Sequence, residues 1–304
     1  MTTDPASQAL FDIPSPGPGL PWWLPSGPAG ESLTRAIEAA RAQDRSALAT
    51  YLPVGFPDRL TNLDAFHLLA QSADVIELGI PHAEGVLDGP VIREASRTAL
   101  DAGFKMTHLF DAASELSASA DAALLVMSYW QPLHAYGPER WAAQAASVGV
   151  AGVIVPDLPY EASASWRATA QDAGLASVPL VSHRTQPDRL AAIADAATGM
   201  VYAPATTGLT GSTGPLSGHL PGLITRLRSL TTLPVAAGIG ISTPEQARTA
   251  AAWADVVVVG SAVIRRMQAQ PRAQIAAAAA VGRDFAAALR RAPHLDHDGG
   301  HRRR

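Results

Sequence analysis

Eight short apolar, β-rich runs recur along the middle of the chain, and an amphipathic, alanine-rich segment separates most neighbours. They are "ATYLPVGF" (49–56), "DVIELGI" (74–80), "DAALLVMS" (121–128), "GVIVPD" (152–157), "ASVPLVS" (176–182), "GMVYAPAT" (199–206), "PVAAGIG" (234–240) and "ADVVVVGSAV" (254–263). Between them, segments such as "PERWAAQAASVG", "EASASWRATAQDAG" and "TPEQARTAAAW" carry apolar residues at helical spacing. Ser217 and Ser242 stand where two of these helices should be capped. Strands that are apolar along most of their length are buried on both faces, which means parallel pairing under a cover of helices. An open doubly wound sheet more often shows a glycine fingerprint after its first strand, and "LPVGFPD" is not G-x-G-x-x-G. The expected fold class is therefore α/β, a single-domain (β/α)8 TIM barrel over residues 31–290. Residues 1–30, with "DIPSPGPGLPWWLPSGPAG", read as a flexible Pro/Gly-rich extension, and 291–304 as a flexible tail.

Composition removes several function classes. The formal net charge of −4 over 304 residues offers no electrostatic footprint for nucleic acid. There is no cysteine, so disulfide and thiolate chemistry are excluded. No apolar run reaches the roughly 20 residues that span a bilayer, and "MTTDPASQ" lacks the basic flank of a secretory signal. A cytoplasmic protein with no membrane partner is expected. The histidines of "HLDHDGGHRRR" invite a metal reading, but tails of this kind are more often solvated, and no metal site is expected.

In a (β/α)8 barrel the chemistry sits just beyond the C-terminal ends of the strands. In "IELGIPHAEGVLDGP" (76–90), side chains alternate so that Val75, Glu77 and Gly79 share one face while Ile76, Leu78 and Ile80 share the other. The three large aliphatics suit the helix layer, which leaves Glu77 pointing into the barrel. An unpaired carboxyl there loses hydration and its pKa rises, which suits proton transfer near neutral pH. A glutamate held by an arginine or by backbone donors is the competing reading. Asp88 stands before Gly-Pro, a common turn signal, yet it lies beyond the same strand as Glu77. Two such acids can hold different protonation states, one shuttling a proton and one staying ionised against positive charge.

Glycine-bearing turns follow the last two strands, "AAGIGIS" and "VVGSAVI". Gly240 and Gly260 permit close backbone approach and Ser261 adds a hydroxyl at a helix start, the makings of a phosphate cradle; tight turns alone would also use these glycines. After the sixth strand, "YAPATTGLTGSTGPLSG" reads as a closing lid. Tyr202, just before it, either offers its phenol to the pocket or packs in the core.

Taken together, "YLPVGFPD", "IELGIPHAEGVLDGP", "MSYWQP", "VPDLPYE", "YAPATTGLTG" and "AAGIGIS…VVGSAV" resemble, in order, motifs of the tryptophan synthase α subunit family, the indole-3-glycerol-phosphate lyase barrels. The resemblance runs from about Arg35 to about Met267. It implies cleavage of indole-3-glycerol phosphate to indole and glyceraldehyde 3-phosphate in tryptophan biosynthesis, with no cofactor. It further implies that Glu77 transfers protons and that Asp88 binds the indole N–H. Tyr51 and Tyr129 would line the indole pocket, Tyr202 would be the active-site tyrosine, and Thr210 would be the lid threonine bonded to the aspartate. Gly211, Gly240, Gly260 and Ser261 would bind phosphate. A β subunit is the implied partner. The family usually carries an aromatic followed by Ser-Asp-Pro after "ELG[IV]P", where this chain has His82-Ala83-Glu84-Gly85. Gln131 stands for an asparagine and Thr206 for a common arginine. These departures fall largely where the family meets its β subunit. A free-standing indole-releasing paralogue and a non-catalytic regulatory subunit are therefore the alternatives.

Overall fold

In the computed structural model, which describes residues 30–208 and 214–290, eight parallel strands run in the spatial order β5-β4-β3-β2-β1-β8-β7-β6. They are β1 (Ala47–Pro53), β2 (Val75–Gly79), β3 (Ala123–Met127), β4 (Val150–Ile154), β5 (Ala176–Val178), β6 (Val201–Pro204), β7 (Val235–Gly238) and β8 (Val256–Val259). A bridge between Leu180 and Tyr202 joins the two ends of this order, with Val181 N–H donating to the Tyr202 carbonyl at 2.9 Å. The sheet is thus a nearly closed (β/α)8 barrel.

Two sets of buried side chains explain the closure. Outward residues such as Leu48, Leu52, Ile76, Leu78, Val126 and Val257 pack under the helices. The inward set is small, with Ala47, Ala49, Ala123, Ala151, Ala176 and Ala236 filling the barrel beside Val75, Leu125 and Met200. The alternation expected for β2 holds, since Val75 joins the inner set while Ile76, Leu78 and Ile80 join the outer. Below the strands, helix Glu31–Ala42 buries Leu33, Ile37 and Ala40, spaced as one helical face, and closes the N-terminal mouth.

Three local expectations need correction. The last strand ends at Val259, because "SAV" opens helix Ser261–Ala269. Helix Pro244–Ala251 is capped by Thr243, not Ser242; Thr243 and Gln246 form a reciprocal capping box. Helix Leu220–Arg228 begins after His219, and the Ser217 hydroxyl accepts from His219 N–H at 3.2 Å without capping the helix.

Polar anchors hold the N-terminal end of the barrel. Asp74 accepts from Leu48 N–H at 2.8 Å and from Arg45 at 2.6 and 2.8 Å. Asp255, 6% exposed, accepts from Arg41 and Arg228, each at 3.1 Å, and from Val235 N–H at 2.9 Å. Removing the Asp255 carboxylate orphans that buried N–H, although both arginines reach solvent. Asp255→Ala is therefore expected to lower unfolding stability by about 2 kcal/mol in urea denaturation. Its kcat should stay unchanged, because the catalytic residues proposed below lie at the other end of the strands.

Candidate active site

The β1–β2 register sets Tyr51 beside Glu77, and both side chains point into the barrel near its C-terminal end. Space for them comes from glycines. A Cβ on Gly79 would lie 2.5 Å from the Tyr51 hydroxyl, and one on Gly260 would lie 2.9 Å from Tyr51 Cδ1. Across the barrel a Cβ on Gly238 would overlap the Tyr202 hydroxyl, whose oxygen is hydrogen-bonded by the Ile239 backbone N–H. Burial pushes both phenols well above their usual range, so they stay neutral at physiological pH.

Glu77 is 5% exposed, and its Oε2 has no hydrogen-bond partner. Burial raises its pKa to about 8, so at pH 7 it is mostly an undissociated acid. The reading in which donors or an arginine hold this glutamate does not fit that orphaned oxygen. Asp88 is buried on the loop after β2, where Gly89 and Pro90 turn the chain into helix Pro90–Asp101. Burial raises it to about 6, against the lowering effects of a hydrogen bond with Tyr129 and the charge of Arg93. At pH 7 the two carboxyls therefore hold different protonation states in one pocket.

That pocket opens at the C-terminal face. Tyr51, Glu77, Asp88, Tyr202, Gly240, Gly260 and Ser261 all line it. Ile92, Met127, Ile154, Leu180 and Ile239 supply an aliphatic slot suited to a flat apolar ring. Tyr129 is not on the wall. It stands behind Asp88, accepts Leu87 N–H at 3.1 Å and packs against His82 with ring centres 5.2 Å apart. Thr210 and Gly211 lie outside the described residues, as does the centre of the expected lid. The segments on either side of that centre are tied, with Ser217 N–H donating to the Ala205 carbonyl at 2.8 Å and Gln246 Nε2 to the Gly214 carbonyl at 2.9 Å.

On the side expected from the sequence to hold phosphate, Gly240 has φ 102°, and a Cβ there would overlap Thr206. Gly260 precedes helix Ser261–Ala269, whose N-terminus has no side-chain cap and carries the partial positive charge that favours an anion. Two participants are not apparent from the sequence. Arg265, one turn into that helix, donates to the Ser242 hydroxyl at 2.9 Å and to Ser261 at 3.3 Å, bringing a cation to the cradle. Its i+4 spacing from Ser261 is the signal that would have found it. Ile239 adopts φ 59°, a costly conformation for a β-branched residue, and nothing in "GIGIS" marks it. Among the described residues no group of three or more His, Asp or Glu side chains is arranged to hold a metal, and no helix is long and apolar enough to cross a membrane.

Comparison with known proteins agrees with this geometry. A family model described as tryptophan synthase alpha chain matches residues 37–290. The tryptophan synthase alpha chain of Streptomyces avermitilis is 41% identical over 239 residues, 78% of this chain and 86% of that one. That of Acidothermus cellulolyticus is 38% identical, covering 85% and 97%. A chain in the structure of Mycobacterium tuberculosis tryptophan synthase superposes with a TM-score of 0.79 at 33% identity, over 85% of this chain and 98% of that chain. The Legionella pneumophila tryptophan synthase subunit alpha gives 0.75 at 28% identity, over 85% and 98%. The match spans the whole barrel from its first helix to its last, and the chain belongs to the tryptophan synthase alpha chain family.

Proposed function

We propose that this chain is the carbon–carbon lyase of tryptophan biosynthesis that cleaves indole-3-glycerol phosphate to indole and glyceraldehyde 3-phosphate. The observation that carries the reading is Glu77, a buried carboxyl with an unpartnered oxygen, aimed into an apolar pocket with an ionised aspartate on the same wall. The indole ring lies in the aliphatic slot and its N–H donates to Asp88. Glu77, as the acid, gives its proton to indole C3, which leaves a positive charge delocalised onto the ring nitrogen beside the Asp88 carboxylate. The hydroxyl on the carbon attached to C3 then loses its proton to the Glu77 carboxylate. A carbonyl forms there, and the electrons of the broken C–C bond return to the ring. Glu77 ends as it began, so the cycle consumes no proton.

Tyr51 and Tyr202 stay neutral beside the reacting carbon and keep it dry. Gly240, Gly260, Ser261 and the start of helix Ser261–Ala269 receive the phosphate, with Arg265 adding positive charge. Thr210 and Gly211 are assigned by resemblance to the lid contact with Asp88 and to the phosphate. The partner is a β subunit, docking on the catalytic face where Val86, 69% exposed, stands on the Asp88 loop. Similarity to chains in structures of tryptophan synthase supports this choice. Indole release should rise many-fold when a β subunit is added to the purified chain; equal release with and without it would favour a free-standing lyase.

Glu77→Gln keeps the shape and removes the proton, so kcat should fall by about 10³-fold while a non-cleavable indole-alkyl phosphate still binds. A fully active variant would sink the mechanism. The same substitution should stabilise the fold. A carboxyl whose folded pKa exceeds its unfolded value binds more protons when folded, so stability falls as pH rises between the two values. The advantage of Glu77→Gln over the parent should therefore grow from about pH 4.5 to about pH 8, by at most about 1.4 kcal/mol per pH unit.

The active form carries Glu77 protonated and Asp88 ionised. The plot of kcat/KM against pH should be a bell that falls below about 6 and above about 8. Asp88→Asn should abolish the acid limb along with most of the activity.

A further inference from the structure

The loop that carries Asp88 folds back on its own carboxylate at one residue. Gly85 is buried between exposed Glu84 and exposed Val86, and its carbonyl accepts Asp88 N–H at 3.1 Å in a tight turn. A Cβ on Gly85 would overlap Asp88 Oδ2, approach Asp88 Cγ to 2.7 Å and come within 2.9 Å of Tyr129 Cε2. The backbone of buried Gly85 thus lies directly against the carboxylate, with Tyr129 beside both. The Tyr129 hydroxyl accepts from Leu87 N–H at 3.1 Å and is hydrogen-bonded to Asp88. One phenol therefore ties the loop and the carboxylate to the end of β3.

We propose that Gly85 and Tyr129 are positioning residues for Asp88, the first by letting the loop close directly over the carboxylate and the second by fixing its orientation from behind. The proposal rests on the lyase reading for what Asp88 does, but the placement of Asp88 is a property of the free protein. Any side chain at Gly85 forces one of two adjustments. Either the Asp88 carboxyl swings away from the pocket wall, or the loop lifts and admits water. Both return Asp88 toward an ordinary solvated acid. Loss of the Tyr129 hydroxyl acts in the opposite sense, since Asp88 stays covered and loses a donor that favours its ionised form.

The groups that face Asp88 are few. Tyr51 comes from β1, Tyr129 from just beyond β3 and Arg93 from the following helix, while Glu77, from β2, lines the same pocket. His82 and Glu84 are the remaining titratable groups of the loop, and Asp157, after β4, acts on His82 and Tyr129. None of these is removed by substituting Gly85, so a change there reports on placement and cover.

The test is the titration of the Asp88 carboxyl by carbon NMR in the full chain, assigned by its absence in Asp88→Asn, beside the pH profile of kcat/KM. Gly85→Ala is expected to lower the Asp88 midpoint by at least about one unit and kcat/KM by about 10-fold or more. Tyr129→Phe is expected to raise the midpoint, and the acid limb of the profile should follow in each case. Leu230→Ala, exposed after helix Leu220–Arg228 and away from this loop, should leave both in place. A Gly85→Ala protein whose Asp88 titrates at the parental midpoint would overturn the proposal. Should that variant fail to fold, a Tyr129→Phe midpoint that is unchanged or lowered would overturn it equally. A parent without lyase activity whose Asp88 nevertheless shifts as stated would count against the proposed reaction and leave the positioning intact.

Discussion

Keeping Glu77 dry and unpaired is the constraint around which the catalytic end of this barrel is built. A carboxyl taken out of water without a partner loses several kcal/mol of hydration unless it keeps its proton, so every neighbour must be apolar or a neutral phenol. The structure meets this with a division of volume. Alanines dominate the inward positions deeper in the barrel, while glycines at or just beyond the strand ends make room for two tyrosines above them. Gly79, Gly238 and Gly260 are needed because Tyr51 and Tyr202 occupy the space where their side chains would be. A single Cβ at any of the three would move a phenol and open the pocket floor to water.

The difference between the two acids comes from a small number of contacts. Both leave only 5% of their surface exposed, though Glu77 is set the deeper of the two. Asp88 receives the Tyr129 hydrogen bond and feels Arg93, while burial alone shapes Glu77. One phenol and one guanidinium, together with shallower burial, keep Asp88 below neutrality while Glu77 stays above it, which the proposed proton transfer and cation stabilisation both need. The ionic anchors Asp74 and Asp255 sit at the opposite end, where partners surround their carboxylates and hold the starts of neighbouring strands together. The barrel separates paired charge that stabilises from unpaired charge that reacts.

Much of this was legible in the sequence because it rests on periodicity. Alternation along 75–80 was enough to turn Glu77 inward, and continuous apolar runs were enough to indicate a covered parallel sheet. What escaped depends on residues brought together by the fold. "VVVVGSAVI" is apolar on both sides of Gly260, so no local signal divides strand from helix. The cap at Thr243 was readable, since Gln246 follows it by three residues, but the adjacent hydroxyl of Ser242 competed for the assignment. The left-handed turn at Ile239 carries no mark, because a β-branched residue is the wrong type for it and only the surroundings hold it there. Tyr129 has a pocket-lining look in sequence and stands one layer back in space, a distinction that strand and loop geometry alone decides.

The loop after β2 shows the same limit from the other side. Read as sequence, His82-Ala83-Glu84-Gly85 is a departure from the family pattern, and a glycine in a loop suggests looseness. In the structure that glycine is buried and its backbone lies against the very carboxylate the loop delivers. Conformational freedom in the unfolded chain and close contact in the folded one are compatible, because glycine supplies both. The entropy lost in ordering Gly85 is offset locally by the Leu87–Tyr129 hydrogen bond and by the tilted packing of His82 against Tyr129. Tyr129 touches the loop at three points and stands just beyond β3, so movement of that loop by any partner would shift Asp88 directly and strain its tie to this one side chain.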